Sequence, residues 1–431
     1  MNSIELADSS RKTILHLGYL FVFLILIDAP LVLLYSLTGS ASLAKILLYS
    51  SEAIIMLIFV FLLLNSFRMR LPKLIYIYVA YILLTAIVSF LFYDAYDVAR
   101  DSRRFLALLP PLLLGYYFAW SFGEKRERIV NKIIIFLTIM SVISLIEWIF
   151  FYLSYHTMVQ LYSEYFQAGP YYFYVKHTSN IHAETGLATS AVTQAGIFIP
   201  GFFQFKRATG LYLEGYSAGL NPAFAIILIL YSKIARYRTI KSSYIFIIIN
   251  LIAVILSTSR SAYLLLFVSL LIYLMMKRRL SAALFLSVLP FFYVPFRNFF
   301  FSSIKTLGGG AHRDAILQLP DYLSSHILSL EGFIGSGIGS FKDYVDAGAI
   351  KDIFIQLGLF GLFMIFLLYF AIMVRIPSSK ENIFIVLSVS IAIFLLSIYS
   401  GRIFGYKCLG MIHFFLGYIT NPFSRLAPHK K

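Results

Sequence analysis

A single cysteine, Cys408, excludes an intrachain disulfide, and its place in an apolar run argues against thiol chemistry. The eight histidines are scattered, with no pair at metal-ligand spacing, so no metal site is expected. Charge is scarce as well: 13% of residues are charged and 60% are hydrophobic. A soluble domain of this size needs far more charge to cover its surface, so the apolar excess must face lipid. The mean hydropathy of +0.83 agrees. Acids are the scarcest charges, 20 against 36 bases, for a net charge of +16. Nucleic acid would be the obvious partner for so basic a chain, but the bases form short clusters between apolar runs. That pattern belongs to membrane topology and lipid headgroups, so membrane lipids are expected partners and nucleic acid is not. Internal repeats are also missing, since the two halves differ in loop length and share no motif; this counts against transporters built on repeats. Glu5, Asp8, Arg11 and Lys12 precede the first apolar run, which lacks a small-residue cleavage site and reads as a retained span.

What is present is a series of twelve apolar runs of membrane-crossing character. Five come first: Ile14 to Leu37, Leu43 to Leu64, Leu74 to Tyr93, Phe105 to Phe122 and Ile133 to Leu153. Four follow a long gap: Leu220 to Ile234, Ser242 to Leu256, Ala262 to Met276 and Leu280 to Phe296. After a second gap come Ile353 to Val374, Ile383 to Tyr399 and Gly405 to Ile419. About 21 of the 36 basic residues lie in alternate short connections, among them Arg68 to Lys73, Lys125 to Lys132, Lys233 to Lys241 and Lys277 to Arg279. The positive-inside rule makes that side cytoplasmic, with both termini on it. The expected architecture is an all-α polytopic membrane protein of about 12 transmembrane helices. Its divisions are helices in 1–153, a long outer loop 154–219, helices in 220–296, a second long outer loop 297–352, and helices with a tail in 353–431. Loops this long are usually functional or disordered. The first is aromatic (Tyr162, Tyr165, Phe166, Tyr171 to Tyr174) and the second carries amphipathic stretches between glycines, so a folded cap is expected.

Three stretches could carry chemistry. In Lys206 to Gly219, Arg207 and Glu214 stand beside glycines near the outer surface. A planar guanidinium there suits two phosphate oxygens, while a headgroup-anchoring arginine paired with the glutamate is an equal alternative. Arg260, in S-T-S-R-S-A, lies between two apolar runs and needs a polar cavity, an anionic ligand or an interfacial turn to satisfy it. The third stretch holds His312, Arg313 and Asp314 after Gly308 to Gly310, then Gly335, Gly337 and Gly339. Its spacing is not that of a dinucleotide-binding loop, and a turn at the membrane edge is the simpler reading. Asp28, Glu52 and Glu147 fall in or near spans, either on a proton or substrate path or paired with Lys45 or another base. Asp94 to Arg104 mixes signs at helical spacing and is expected to be a solvated interfacial helix with internal ion pairs.

The layout and three of these motifs resemble the O-antigen polymerase and ligase superfamily of bacterial envelope proteins, which includes the Wzy-type polymerases. R-A-T-G-L-Y-L-E, opening a span after a long loop, resembles that family's R-x-x-G-x-x-x-E segment, and L-S-T-S-R-S-A resembles its S-x-S-R segment. H-R-D-A-I, G-S-G-I-G-S-F and I-Q-L-G-L-F-G are similar to its arginine, G-x-G-x-F and G-x-x-G series. The likeness runs from about Phe205 to Leu362. It implies a GT-C-like, metal-independent glycosyltransferase without cofactor, acting on undecaprenyl-diphosphate-linked oligosaccharide at the periplasmic face of the inner membrane. It also implies Arg207, Arg260 and Arg313 as diphosphate-binding residues, with Arg207 and Glu214 as the catalytic pair. A chain-length regulator and a flippase are further candidate partners. Ligases of the superfamily carry a histidine where this chain has Val345 to Gly348, which favours an O-antigen polymerase over a ligase. A flippase of lipid-linked oligosaccharide is the alternative from another class.

Overall fold

The structure is a computed structural model describing residues 3–26, 41–65, 72–122, 126–153, 192–193, 205–206, 208, 215–237, 243–257, 259–279, 281, 329–340, 349–399 and 406–421. Among these, thirteen helices account for nearly all regular structure. They are α1 (Ser3–Ile25), α2 (Ala41–Asn65), α3 (Lys73–Ser89), α4 (Ala95–Leu106), α5 (Leu109–Phe122), α6 (Arg126–Leu153) and α7 (Gly215–Ala235). Then come α8 (Ser243–Ser257), α9 (Arg260–Met276), α10 (Leu330–Ile334), α11 (Ala349–Arg375), α12 (Lys380–Tyr399) and α13 (Tyr406–Thr420). One antiparallel bridge joins β1 (Val192–Thr193) to β2 (Phe205–Lys206). Three helical stretches, Arg126–Phe150, Ser217–Ala235 and Ile350–Arg375, are long and apolar enough to cross a membrane, and six shorter apolar helices accompany them. Apart from the β1–β2 bridge, the described residues form an all-helical protein of membrane type.

The helices follow from uninterrupted apolar sequence, and their faces are sorted the opposite way from a soluble protein. Leu83, Leu84, Ile87 and Leu91 of the α3 region, Ile248 and Ile252 of α8, and Phe363, Phe366 and Phe370 of α11 are all exposed. Rows of large apolar side chains facing outward suit hydrocarbon and would aggregate in water. The interior is equally apolar, so burial from water cannot hold helix to helix; close packing and hydrogen bonds must do so. α7 is enclosed on all sides, with Leu220, Phe224, Ile227, Leu228 and Tyr231 fully buried. Pro222 removes one backbone donor inside α7, and the Asn221 side-chain amide donates to Ser217 O one turn back. Asn250 of α8 ties to α6 by donating to Thr138 Oγ1 (2.8 Å) and accepting from Ser141 Oγ (2.7 Å). In α11 and α13, Tyr369 and His413 share a buried hydrogen bond of 2.8 Å.

The bundle has two chemically distinct ends. One carries the start of α6, the end of α7 and the start of α12, joined where Arg126 meets Tyr231 Oη and Asn382 Oδ1. Lys73, Lys132, Lys233, Arg236, Lys277, Arg278, Arg279, Arg375 and Lys380 belong to the same end by helix direction. The other end gathers the end of α3, α4, residues 335–340, and the starts of α7, α9 and α11.

Candidate functional site

The second, non-basic end holds the charged groups that an apolar bundle tolerates least. α4 begins where Asp94 accepts from Tyr96 N–H (2.9 Å); Asp97 lies in its first turn and Arg103 and Arg104 in its last, as the helix dipole favours. One face of the helix is exposed at Ala95, Tyr96 and Ala99, and only the other packs inward. The helix turns back along α3, and Tyr78 Oη donates to Phe105 O (2.9 Å) about three turns below the α3 end. Asp101 and Ser102 are buried as a result. Internal pairing is as the spacing predicts, with Arg100 bridging to Asp97 and Asp101 at 2.9 Å each. Burial pulls the Arg100 pKa down, but the hydrogen bond and charge of Asp101 and the charge of Asp97 outweigh it, leaving the guanidinium more basic than usual. Arg104 departs from the expectation of internal pairs. Its guanidinium reaches Asp352 Oδ2 at 2.7 Å, 248 residues away at the start of α11, where both Lys351 and Asp352 are buried.

The wall between α4 and α11 is the glycine turn. Gly335, Gly337 and Gly339 all adopt positive φ, a region that β-carbons disfavour. A side chain would also collide there, at Gly335 with Gln356 backbone and at Gly339 with Val98 of α4. The turn docks by backbone. Ser336 N–H donates to Ile355 O (2.7 Å), Gly337 N–H to Gln356 O (3.1 Å) and Gly339 N–H to Gln356 Oε1 (3.0 Å). On the α3 side, Ile338 N–H donates to Ser89 Oγ and Tyr93 Oη donates to Ser336 O. These bonds answer a break in α11, where Gly358 has φ 66 and ψ −169. The carbonyls of Ile355, Gln356 and Leu357, the last turn before the break, each accept from outside the helix, the third from Tyr81 Oη at 2.9 Å. Irregular backbone within an apolar bundle persists only where other groups satisfy it.

Among the described residues, Ser102 Oγ, Ser340 Oγ and Gln356 Nε2 are buried without a hydrogen-bond partner. All three belong to this patch: Ser102 lies one turn from Val98, Ser340 follows Gly339, and Gln356 lies one turn from Asp352. Nearly all buried polar groups in proteins are paired, so three without a partner among the described residues are candidates for completion by water or a ligand.

Of the residues given roles by sequence, Arg260 falls on the same end and the others lie outside the described residues. Arg207, Glu214 and Arg313 lie outside them, as do His312, Asp314, Gly308 to Gly310 and the aromatic stretch Tyr162 to Tyr174. Arg260 is the first residue of α9, directly after its N-cap Ser259. Ala208 N–H donates to Leu256 O (3.0 Å), so Ala208 meets the junction that carries Arg260. Gly219 of α7 makes that junction possible, since a β-carbon would sit 2.5 Å from both Ser257 Oγ and Ser259 Cβ. Ser259 Oγ is a further buried atom with no partner among the described residues. Sequence reasoning missed Arg103, Arg104, Lys351, Asp352 and Gln356 as a group. Three charges at positions 101, 103 and 104, immediately before an apolar run, were the available signal. No protein-family model matches the chain, and no curated protein or solved structure is similar to it.

Proposed function

We propose that the chain is an O-antigen polymerase, a metal-independent glycosyltransferase that joins undecaprenyl-diphosphate-linked repeat units at the periplasmic face of the bacterial inner membrane. The observation that carries this reading is the polar, charge-bearing end of an otherwise apolar bundle, opposite the end that collects the basic clusters. On this reading the basic end faces the cytoplasm, as the positive-inside rule favours, and the polar end the periplasm. About twelve spans in a GT-C-like arrangement are part of the proposal. Beside this stand the motif resemblances, of which the Arg260 segment lies at the polar end together with Ala208.

In the proposed reaction the bond between the anomeric carbon of a growing glycan and its diphosphate breaks. A hydroxyl of the incoming repeat unit forms the new C–O bond and loses its proton to Glu214. Undecaprenyl diphosphate departs with the electron pair, and its growing negative charge is met by Arg207, Arg260 and Arg313. A diphosphate is already a good leaving group, so no metal is required. Deleting the gene is expected to leave lipopolysaccharide carrying a single repeat unit on a gel; a retained ladder of long chains would sink the polymerase. A ligase would instead lose every attached repeat, so the same gel separates the two. Arg207→Ala and Arg260→Ala are expected to abolish the ladder while the protein remains in the membrane at normal level.

A further inference from the structure

We infer that the patch formed by α4, the 335–340 turn and the start of α11 is a binding subsite for the sugar part of the substrate, separate from the residues that meet its diphosphate. This deepens the glycosyltransferase reading and rests on it.

Charge decides the class of ligand. Among the described residues the patch holds Arg100, Arg103, Arg104 and Lys351 against Asp94, Asp97, Asp101 and Asp352, four of each sign, and residues 335–340 add none. A site for a free phosphate or diphosphate would carry an excess of cations. A balanced set of charges combined with unpaired neutral groups suits a neutral, hydroxyl-rich ligand, since each sugar hydroxyl both donates and accepts. The two unpaired hydroxyls have that dual character, and the unpaired amide supplies donors. Ser102 Oγ and Ser340 Oγ can give or take a hydrogen bond, and Gln356 Nε2 offers amide donors while its Oε1 is held by Gly339 N–H at 3.0 Å. Holding Oε1 fixes which end of the Gln356 amide is presented. Ser102 and Gln356 are themselves deeply buried, at 9% and 0% exposure, so their unpaired atoms are interior features of the fold.

Position agrees with chemistry. The patch lies at the same end as the Arg260 junction, so one lipid-linked substrate could offer its diphosphate to one and its sugars to the other. The turn between α4 and α11 is held by backbone hydrogen bonds to α3 and α11, which leaves the Ser340 and Gln356 Nε2 groups uncommitted.

The test uses the full chain in lipid nanodiscs with three probes. They are the undecaprenyl-diphosphate-linked repeat unit extracted from the deletion strain, undecaprenyl diphosphate alone, and the oligosaccharide released from the extracted lipid by mild acid. Ser102→Ala and Gln356→Leu are each expected to weaken binding of the two sugar-bearing probes about tenfold and to leave undecaprenyl diphosphate bound as before. Arg260→Ala is expected to do the reverse, weakening the two diphosphate probes and sparing the free oligosaccharide. Ser102→Ala removes a single oxygen and guards against misfolding, with thermal unfolding as the check. Unchanged sugar binding in both variants would overturn the subsite, as would an equal loss for all three probes in Ser102→Ala. If the wild-type chain binds none of the probes, the glycosyltransferase reading itself fails. That outcome is distinct from failure of the subsite.

Discussion

Asp352 has 2% of its side chain exposed and faces Arg104, whose own side chain is 30% exposed. Two opposite charges in such a place depend on each other more than they strengthen the fold, because each would be costly alone. Replacing Arg104 by Met should therefore destabilise the protein by about 3 kcal/mol, toward the low end for a buried pair because Arg104 is partly exposed. Adding Asp352→Leu to Arg104→Met should restore much of the loss, since no charge is then stranded. Denaturant unfolding of the purified chain in one detergent checks this, and a double variant no more stable than the single one would refute the coupling. This pair also shows what sequence could not say. Asp97, Arg100 and Asp101 are close in sequence, and helical spacing alone pairs them correctly. Arg104 looks like one more member of that series until Asp352, 248 residues on, is placed beside it. A local pattern contains no information about a partner that only the tertiary fold supplies. Arg207, Glu214 and Arg313, the residues that motif likeness points to most directly, lie outside the described residues. Sequence therefore contributes to the site the run 94–104, the glycines Gly335, Gly337 and Gly339, and the position of Arg260.

At the scale of elements, most apolar runs coincide with described helices, their ends moved by up to about seven residues. The first departs further, the expected Ile14 to Leu37 being α1 from Ser3 to Ile25, and Leu280 to Phe296 lies almost wholly outside the described residues. The expected span Ile383 to Tyr399 is α12 from Lys380, and Ile133 to Leu153 is α6 from Arg126. Length and hydropathy suffice for this because a run of apolar residues in lipid has no alternative but to satisfy its backbone internally. What those measures miss is how one helix meets another. α5 and α13 cross at their glycines: a β-carbon on Gly417 would run into Leu112 O, and one on Gly115 into Phe414 O. Gly410, on the same helix, would meet only side-chain tips, the Phe21 ring at 3.2 Å and Ile25 Cδ1 at 3.5 Å. Gly417→Ala and Gly115→Ala are thus expected to cost about 1–3 kcal/mol each, as overpacking does against rigid backbone. Gly410→Ala is expected to be close to neutral, because a ring can turn aside. Thermal unfolding in detergent of the three variants checks the ranking; equal melting for Gly410→Ala and Gly417→Ala would contradict the crossing. The break at Gly358 was equally hidden. Its motif, I-Q-L-G-L-F-G, reads as helix with two tolerated glycines, and only the docking of residues 336 and 337 onto Ile355 and Gln356 explains why the first of them leaves helical geometry.

For the whole molecule, the decisive feature is the contrast between its ends. Lys233, Arg236, Lys277, Arg278 and Arg279 stand at one, with their positive charge uncompensated nearby in sequence. Asp94, Asp97 and the balanced α4 patch stand at the other. A bilayer with a negative interior, crossed by such a bundle, holds the uncompensated positive end inside, because moving that charge outward through the membrane is opposed. The orientation is therefore a physical prediction independent of any family likeness. It can be read with cysteine labelling, for which Cys408 is the sole native thiol to remove. In a Cys408→Ser background, Ala95→Cys at the start of α4 and Arg279→Cys after α9 place one exposed thiol at each end. A membrane-impermeant maleimide added to intact spheroplasts should modify position 95 within minutes and leave position 279 untouched until the cells are lysed. The reverse pattern would turn the bundle over, and the polar end would then face cytoplasmic substrates, which a periplasmic polymerase cannot use. Equal labelling of both positions before lysis would mean that the two ends do not lie on opposite sides, and the separation of basic and balanced charge would need another cause.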